Sequence, residues 1–248
     1  MTKEERKLIA EKHFNYMERE YVKPTTRYSQ EFSVIYDNKK IYCDNDIIVF
    51  DCTTEQAIFN FHNVSESICV LNFASFTRPG GGFIKGSIAQ EEALCHSSNL
   101  YNVLLAFKDE YDKNYNKPSF KTGLYENWAI YSPQVYFEGS NGINKLANVI
   151  TCPAPNYSVY KEKYTDDVLY KKTLKSRIKY VLEIARDQNQ KTLILGAFGC
   201  GVFGNDPTLV ANYFKELLKE FKFEKVIFAI PNDKNGNYRA FKNVFNNN

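Results

Sequence analysis

The chain has 248 residues, 44% hydrophobic and 15% aromatic, enough to bury one sizeable core. Its formal net charge of +3 falls well short of the basic footprint of a nucleic-acid binder, so direct nucleic-acid recognition is not expected. The opening stretch MTKEERKLIAEKHF is too charged for a signal peptide, and no apolar run approaches a membrane span, which makes a cytoplasmic location the expectation.

Thr2 and Glu5 form a capping-box pattern, and Leu8, Ile9, His13, Tyr16, Met17 and Tyr21 follow at helical spacing until Pro24. Two alternating runs around YDNKK, between Phe32 and Ile41, signal a hairpin or strand-turn. DIIVFDC (46–52) reads as a buried strand, after which Thr53 or Thr54 caps a brief helix, EQAIFNFH. SICVLNFAS is the next buried strand and runs straight into a glycine-rich loop. Beyond that loop, AQEEALCHSSNLYNVLLAF places Leu94, Leu100, Tyr101, Leu104 and Leu105 on one broad helical face. KDEYDKNYNKPSF is polar and contains a proline, as expected of an exposed insertion. WAIYSPQVYFEG reads as an interrupted strand pair and LANVITCPAPN as a strand ending in a proline-rich loop. A long helix spans about 165–187; then come the strand KTLILGAF, a second glycine-rich loop, the helix PTLVANYFKELLKEF, the strand KVIFAI and the closing helix YRAFKNVF. Strands alternating with helices imply an α/β sandwich with a largely parallel sheet. No linker divides the chain, so one domain is expected, with an N-terminal appendage.

The six cysteines form no C-x-x-C pair and sit mostly within apolar runs, as reduced core thiols do. The three histidines, His13, His62 and His96, are far apart. A metal cluster or a histidine-based triad is therefore not expected, and His96 reads as a helix-surface residue.

Chemistry concentrates in the two loops that follow buried strands, the place where open α/β sheets bind ligands. In the second loop, GAFGCGVFGNDP (196–207), Gly199, Gly201 and Gly204 let successive N–H groups bear on one anion. The following helix would add its dipole and free donors, which suits a phosphate or diphosphate. The loop lacks the Lys and Ser/Thr of a P-loop and misses G-x-G-x-x-G, which argues against nucleoside triphosphate hydrolysis and hydride transfer. In the first loop Gly80, Gly81 and Gly82 would admit a ligand almost onto the main chain, and Glu91 and Glu92 follow at a helix start. Taken alone, such a pair also suits a helix that simply favours acids in its first turn. Adjacent acids point about a quarter turn apart, however. One can hold a sugar hydroxyl while the other, kept protonated by burial, donates to a departing glycosidic oxygen.

With both loops considered, the sequence resembles the microbial-type poly(ADP-ribose) glycohydrolases, which are built on a macrodomain. The signature is Gly80-Gly81-Gly82, seven residues, then Gln90-Glu91-Glu92, supported by VLNFAS, LCHSSNLY, IYSPQVYF, ITCPAPN and LILGAFGCGVFGNDP. The resemblance covers about residue 32 to the end. It implies a three-layer α/β/α macrodomain-like sandwich with a mixed, largely parallel sheet over 31–248, and an N-terminal helical extension over 1–30. It also implies poly(ADP-ribose) or ADP-ribosylated macromolecules as substrate, ADP-ribose as product, and no metal or redox cofactor. Glu92 would be the catalytic acid, while Glu91 and Gln90 hold the riboses. The triple glycine would lie along the diphosphate and terminal ribose. Gly199, Cys200, Gly201 and Val202 would cradle the diphosphate, and Phe203 would orient the reacting ribose. Ser75 stands where animal enzymes carry an Asn that contacts ribose, with Asn72 as a substitute for that contact. Ile230, aided by Phe198, would clamp the adenine. The rivals are a mono-ADP-ribosyl hydrolase and a non-catalytic ADP-ribose reader; the intact acids argue against the reader.

Overall fold

The computed structural model describes residues 1–20, 26–28, 45–61, 68–139, 142–232 and 234–246. The expected hairpin, the helix stop at Pro24, Cys43 and His62 lie outside them. Seven strands, β1 (Thr26–Tyr28), β2 (Asp46–Phe50), β3 (Ile68–Phe73), β4 (Ala129–Glu138), β5 (Asn144–Cys152), β6 (Thr192–Leu195) and β7 (Lys225–Ala229), form one sheet in the order β1-β4-β5-β3-β6-β7-β2. The five strands from β5 to β2 run parallel; β4 is antiparallel to β5, and β1 to β4.

Side-chain alternation divides the core in two. On β3, β6 and β7, Cys69, Leu71, Leu193, Leu195, Val226 and Phe228 enter one cluster, and Ile68, Val70, Ile194, Ile227 and Ala229 the other. Both faces are covered, which is why these strands read as unbroken apolar runs. The first cluster is closed by α8 (Val168–Asp187), α9 (Pro207–Leu217) and α10 (Asn237–Asn246), through residues such as Ile178, Phe214 and Phe241. The second is closed by α2 (Thr54–Phe61), α3 (Gln90–His96), α4 (Leu100–Leu105) and α5 (Lys108–Tyr115), through Ile58, Leu94, Leu104 and Tyr111. The result is a mixed, mostly parallel α/β sandwich. Among the described residues, no helix is long and apolar enough to cross a membrane.

Two local expectations are corrected and a third is refined. The segment after the first loop is two helices: residues 97–99 leave the helix and pair with β4, Asn99 N–H donating to Tyr136 O (3.1 Å) and Glu138 N–H to Ser97 O (2.8 Å). Ser98 Oγ donates to Leu94 O (2.6 Å) and accepts from Leu100 N–H (3.1 Å), so Ser-Ser-Asn chemistry competes with the helical ladder and wins. The polar segment 108–120 is largely exposed, as expected of an insertion, but it is helical, forming α5 and α6 (Pro118–Thr122), and it is anchored by Tyr111, fully buried against Trp128, and by Asn114 Nδ2 donating to Phe76 O. The interrupted strand pair is one strand, β4, whose register shifts between Ser132 and Val135, where Pro133 has no N–H to give the ladder.

The N-terminal helix α1 (Lys3–Glu20) starts in the expected capping box, Thr2 Oγ1 accepting from Glu5 N–H (3.2 Å) and Glu5 Oε2 from Thr2 N–H (2.6 Å). It lies on the first glycine loop: Arg6 Nε donates to Gly86 O (2.9 Å) and His13 Nε2 to Ser98 O (2.6 Å). Ala10 and Met17 are fully buried, and Phe14 meets Tyr101 edge-on. Between the loop and α3, Phe83 lies against both His13 and His96. His96 is therefore a half-buried packing residue, not a surface one, and burial lowers its affinity for a proton.

Candidate active site

Strands β5, β3 and β6 are parallel neighbours, so the segments after their carboxyl ends (153–156, 74–82 and 196–206) converge at one edge of the sheet. They enclose a cavity of about 380 Å³, lined on one side by Ser75, Arg78, Gly81, Gly82, Gln90, Glu91 and Glu92 and on the other by Gly199, Gly201, Val202 and Phe203. Phe73, Phe76, Tyr125 and Ala154 also line it.

The two acids occupy the first turn of α3 and are 3% and 7% exposed, so they are not solvated helix-start acids. Glu91 is held on both oxygens: Oε2 accepts from Ser75 N–H (2.7 Å) and Oε1 from Asn72 Nδ2 (3.3 Å). Burial outweighs these donors and pushes the Glu91 carboxyl from 4.5 up to about 8, with the Glu92 charge adding to the rise. Glu92 is held on one oxygen only. Its Oε1 accepts from Gly82 N–H (2.7 Å), while Oε2 is sealed from solvent and has no partner.

The raised Glu91 carboxyl predicts a pH-dependent stability. Below pH 4.5 the folded and unfolded forms both hold the proton; between 4.5 and about 8 only the folded form keeps it, so stability falls as pH rises through that window. The fall contributed by this residue is roughly 5 kcal/mol. Urea midpoints measured across that range should decline more steeply for the wild type than for Glu91→Gln, and parallel declines would show that burial does not hold the proton on Glu91.

The triple glycine serves the acids as much as any ligand. A Cβ on Gly81, whose φ is +61°, would lie 2.6 Å from Glu92 Oε1 and 2.9 Å from Glu91 Oε2. One on Gly80 would strike the Tyr101 ring at 2.5 Å, and one on Gly82 would strike Ser87 Oγ at 2.3 Å. Gly80 is buried and does not line the cavity, so the expectation that it contacts substrate is corrected: its missing side chain makes room for α4.

Two further assignments change. Asn72 is fully buried behind Glu91, outside the cavity lining, with its amide donating to Glu91 and to Thr151 Oγ1 (3.2 Å). It orients the acid rather than a ribose. Gln90 lines the cavity, but its side chain is a bracket: Oε1 accepts from Phe73 N–H (2.9 Å), and Nε2 donates to Leu71 O (2.9 Å) and Thr54 Oγ1 (3.2 Å). Both amide hydrogens are engaged by protein, which ties α3 to β3 and α2 and leaves neither for a sugar.

In the second loop, the N–H groups of Gly199, Gly201, Val202 and Phe203 find no acceptor among the described residues. They are the free donors of an anion-binding concavity. Helix α9 does not add to them as expected, because Asp206 caps it, Oδ1 accepting from Thr208 N–H (2.7 Å) and Leu209 N–H (3.1 Å). The loop is stapled from below by the buried Asn205, whose Nδ2 donates to Gly199 O (3.1 Å) and Pro155 O (3.0 Å). Cys200 does not line the cavity; its thiol turns towards Phe198 O (3.7 Å), and burial raises its affinity for a proton. The expected adenine clamp is absent: Ile230 is 2% exposed in the core, and Phe198 is fully buried against Phe73.

The aromatic wall lies elsewhere. Tyr125, with φ of +57°, stacks on Phe76 at 4.5 Å and meets Phe203 edge-on at 6.1 Å. Sequence reasoning missed it, since an isolated tyrosine in GLYENW carries no periodic signal. It also missed the fully buried Arg177, whose guanidinium donates to Leu124 O, Pro153 O and Asn127 Oδ1. Arg177 thereby fixes the backbone next to Tyr125 and Ala154, both of which line the cavity.

A sequence model described as the microbial-type PARG catalytic domain matches residues 3–138. The match starts well before residue 32, so the likeness includes α1. Among curated proteins nothing matches. Among solved structures, poly(ADP-ribose) glycohydrolase from Thermomonospora curvata superimposes with a TM-score of 0.84 at 29% identity, covering 98% of this chain and 100% of that one. The same protein bound to the inhibitor ADP-HPD gives 0.81, at 29% identity and the same coverage. The Deinococcus radiodurans glycohydrolase in complex with ADP-ribose gives 0.73 at 31% identity, covering 98% of this chain and 92% of that one. Its buried acid pair, its facing anion loop and these matches agree: the chain belongs to the microbial-type poly(ADP-ribose) glycohydrolase family.

Proposed function

We propose that the protein hydrolyses the ribose–ribose O-glycosidic bonds of poly(ADP-ribose) from chain ends and releases ADP-ribose. The observation that carries this reading is the buried pair Glu91 and Glu92, at one cavity with a loop whose four N–H groups find no acceptor among the described residues. The terminal diphosphate binds that loop, and Phe203, braced by Tyr125, packs on the reacting ribose. Glu92, whose carboxyl is tied to the described residues through Oε1 alone, delivers a proton to the bridging oxygen as the C–O bond breaks. An oxocarbenium-like ribosyl cation remains. Water adds to its anomeric carbon and returns a proton to the Glu92 carboxylate, which closes the cycle. Glu91, protonated up to about pH 8, keeps two negative charges from facing each other in the cavity. In this reading residues 31–248 form a macrodomain-like catalytic domain, joined by the edge strand β1 (Thr26–Tyr28) that a boundary at residue 30 leaves outside, and the helix α1 is an extension laid on its first glycine loop. The free thiols of Cys52, Cys69, Cys95, Cys152 and Cys200 are in keeping with a reducing, cytoplasmic setting.

The test is chromatographic detection of free ADP-ribose after incubation with poly(ADP-ribose), run beside a mono-ADP-ribosylated protein. Release from polymer is the expected result. Release from the mono-modified acceptor alone would replace this reading with a mono-ADP-ribosyl hydrolase. Binding of ADP-ribose with no release from either substrate would leave a reader.

A further inference from the structure

Among the residues lining the cavity, Arg78 alone carries a positive charge. It is exposed and has no carboxylate within ion-pair distance among the described residues. Its carbonyl accepts from Gly81 N–H (3.1 Å), and Gly81 is packed so close to the acids that a Cβ there would fall 2.6 Å from Glu92 Oε1 and 2.9 Å from Glu91 Oε2. Among the described residues, a long, unpaired cation is thus anchored one tight turn from the acid pair, at the same cavity as the anion loop.

One ADP-ribose unit has one diphosphate, and the free N–H groups of Gly199, Gly201, Val202 and Phe203 account for it. A cation at the cavity in addition to those N–H donors therefore calls for a second phosphate. Polymer supplies one. The bridging oxygen belongs to the adenosine ribose of the next unit, whose 5′ carbon carries that unit's own diphosphate, one ribose from the bond being broken. ADP-ribose on a single protein acceptor offers nothing comparable.

We propose that Arg78 is a second anion subsite, which takes the diphosphate of the unit next to the one being removed and so favours polymer over singly modified acceptors. The inference rests on the glycohydrolase reading for its substrate, but its test does not depend on turnover. Arg78→Ala and Arg78→Lys are compared with wild type for kcat/KM on poly(ADP-ribose), for the Kd of ADP-ribose, and for the Kd of polymer in a Glu92→Gln background. Arg78→Ala should lower kcat/KM on polymer about tenfold, as loss of one charged hydrogen-bonding contact does, and weaken polymer binding similarly. The Kd of ADP-ribose should stay within about twofold, and Arg78→Lys should recover much of the loss. The log–log salt dependence of polymer binding should become shallower by about one, as expected for removal of one phosphate contact.

Equal weakening towards polymer and ADP-ribose would overturn the proposal and place Arg78 on the terminal unit. Unchanged polymer kinetics and binding would overturn it as well. If the wild type released no ADP-ribose at all, the glycohydrolase reading would fall, while the polymer Kd of the Arg78→Ala protein would still decide the subsite.

Discussion

Glu92→Gln is expected to lower kcat on poly(ADP-ribose) by about 10³–10⁴-fold, the upper range for loss of a general acid, while ADP-ribose binds within about threefold of wild type. The substitution is close to isosteric, and its amide oxygen can still accept from Gly82 N–H, as Oε1 now does at 2.7 Å. The first glycine loop therefore keeps its anchor. What is lost is the carboxyl's ability to carry a transferable proton. An interaction used only as the glycosidic bond breaks lowers kcat and leaves ground-state binding nearly untouched. Single-turnover release of ADP-ribose, paired with calorimetric titration of ADP-ribose, separates the two quantities. Parallel losses in rate and affinity would make Glu92 a binding residue and take the acid away from it. Glu91→Gln is the internal control: that residue is tied on both oxygens to Ser75 and Asn72, so its replacement should disturb positioning and pH dependence without removing the proton donor.

The architecture is largely legible in the sequence, for a physical reason. Strands β3, β6 and β7 are buried on both faces, so each presents an unbroken apolar run that periodicity detects. The two loops are legible because glycine clusters directly after such strands have few purpose-free explanations. The origin of the glycines is not, since it depends on partners far along the chain: Tyr101 against Gly80, the carboxylates against Gly81, Asn205 against Gly199. The same holds for the helix break at 97–99, set by backbone groups of β4 some forty residues away. An Asp before a helix signals a cap. Its consequence, that α9 has no donors left for an anion, follows only once Asp206 is seen accepting from Thr208 and Leu209. The adenine clamp failed because an apolar residue at a strand end looks alike whether it faces a ligand or, as Ile230 does, the core.

Gly81→Ala joins these threads, because one methyl group there tests the claim that the glycine loop exists to hold the acids. The backbone at Gly81 has φ of +61°, a conformation that costs an L-residue roughly 1–2 kcal/mol. The new Cβ would also fall 2.6 Å from Glu92 Oε1 and 2.9 Å from Glu91 Oε2, inside contact distance for both. Backing away from Glu92 would break the Gly82 N–H bond that fixes it; backing away from Glu91 would disturb its bond from Ser75 N–H. Either movement displaces the acid by a sizeable fraction of an ångström, and misplacement of about 1 Å is enough for roughly a 10²-fold loss of rate. The expected outcome is a folded protein, destabilised by about 1–3 kcal/mol, with kcat reduced about a hundredfold. Ligand exclusion predicts something different: ADP-ribose binding would collapse along with rate, while the pH profile of the residual activity kept its wild-type shape. Displacement of the carboxylates changes that profile, because Glu91 owes its raised proton affinity to burial beside Glu92. A Gly81→Ala enzyme with weakened binding and an unshifted profile would return the glycine to the ligand; retained binding with an altered profile assigns it to the acids.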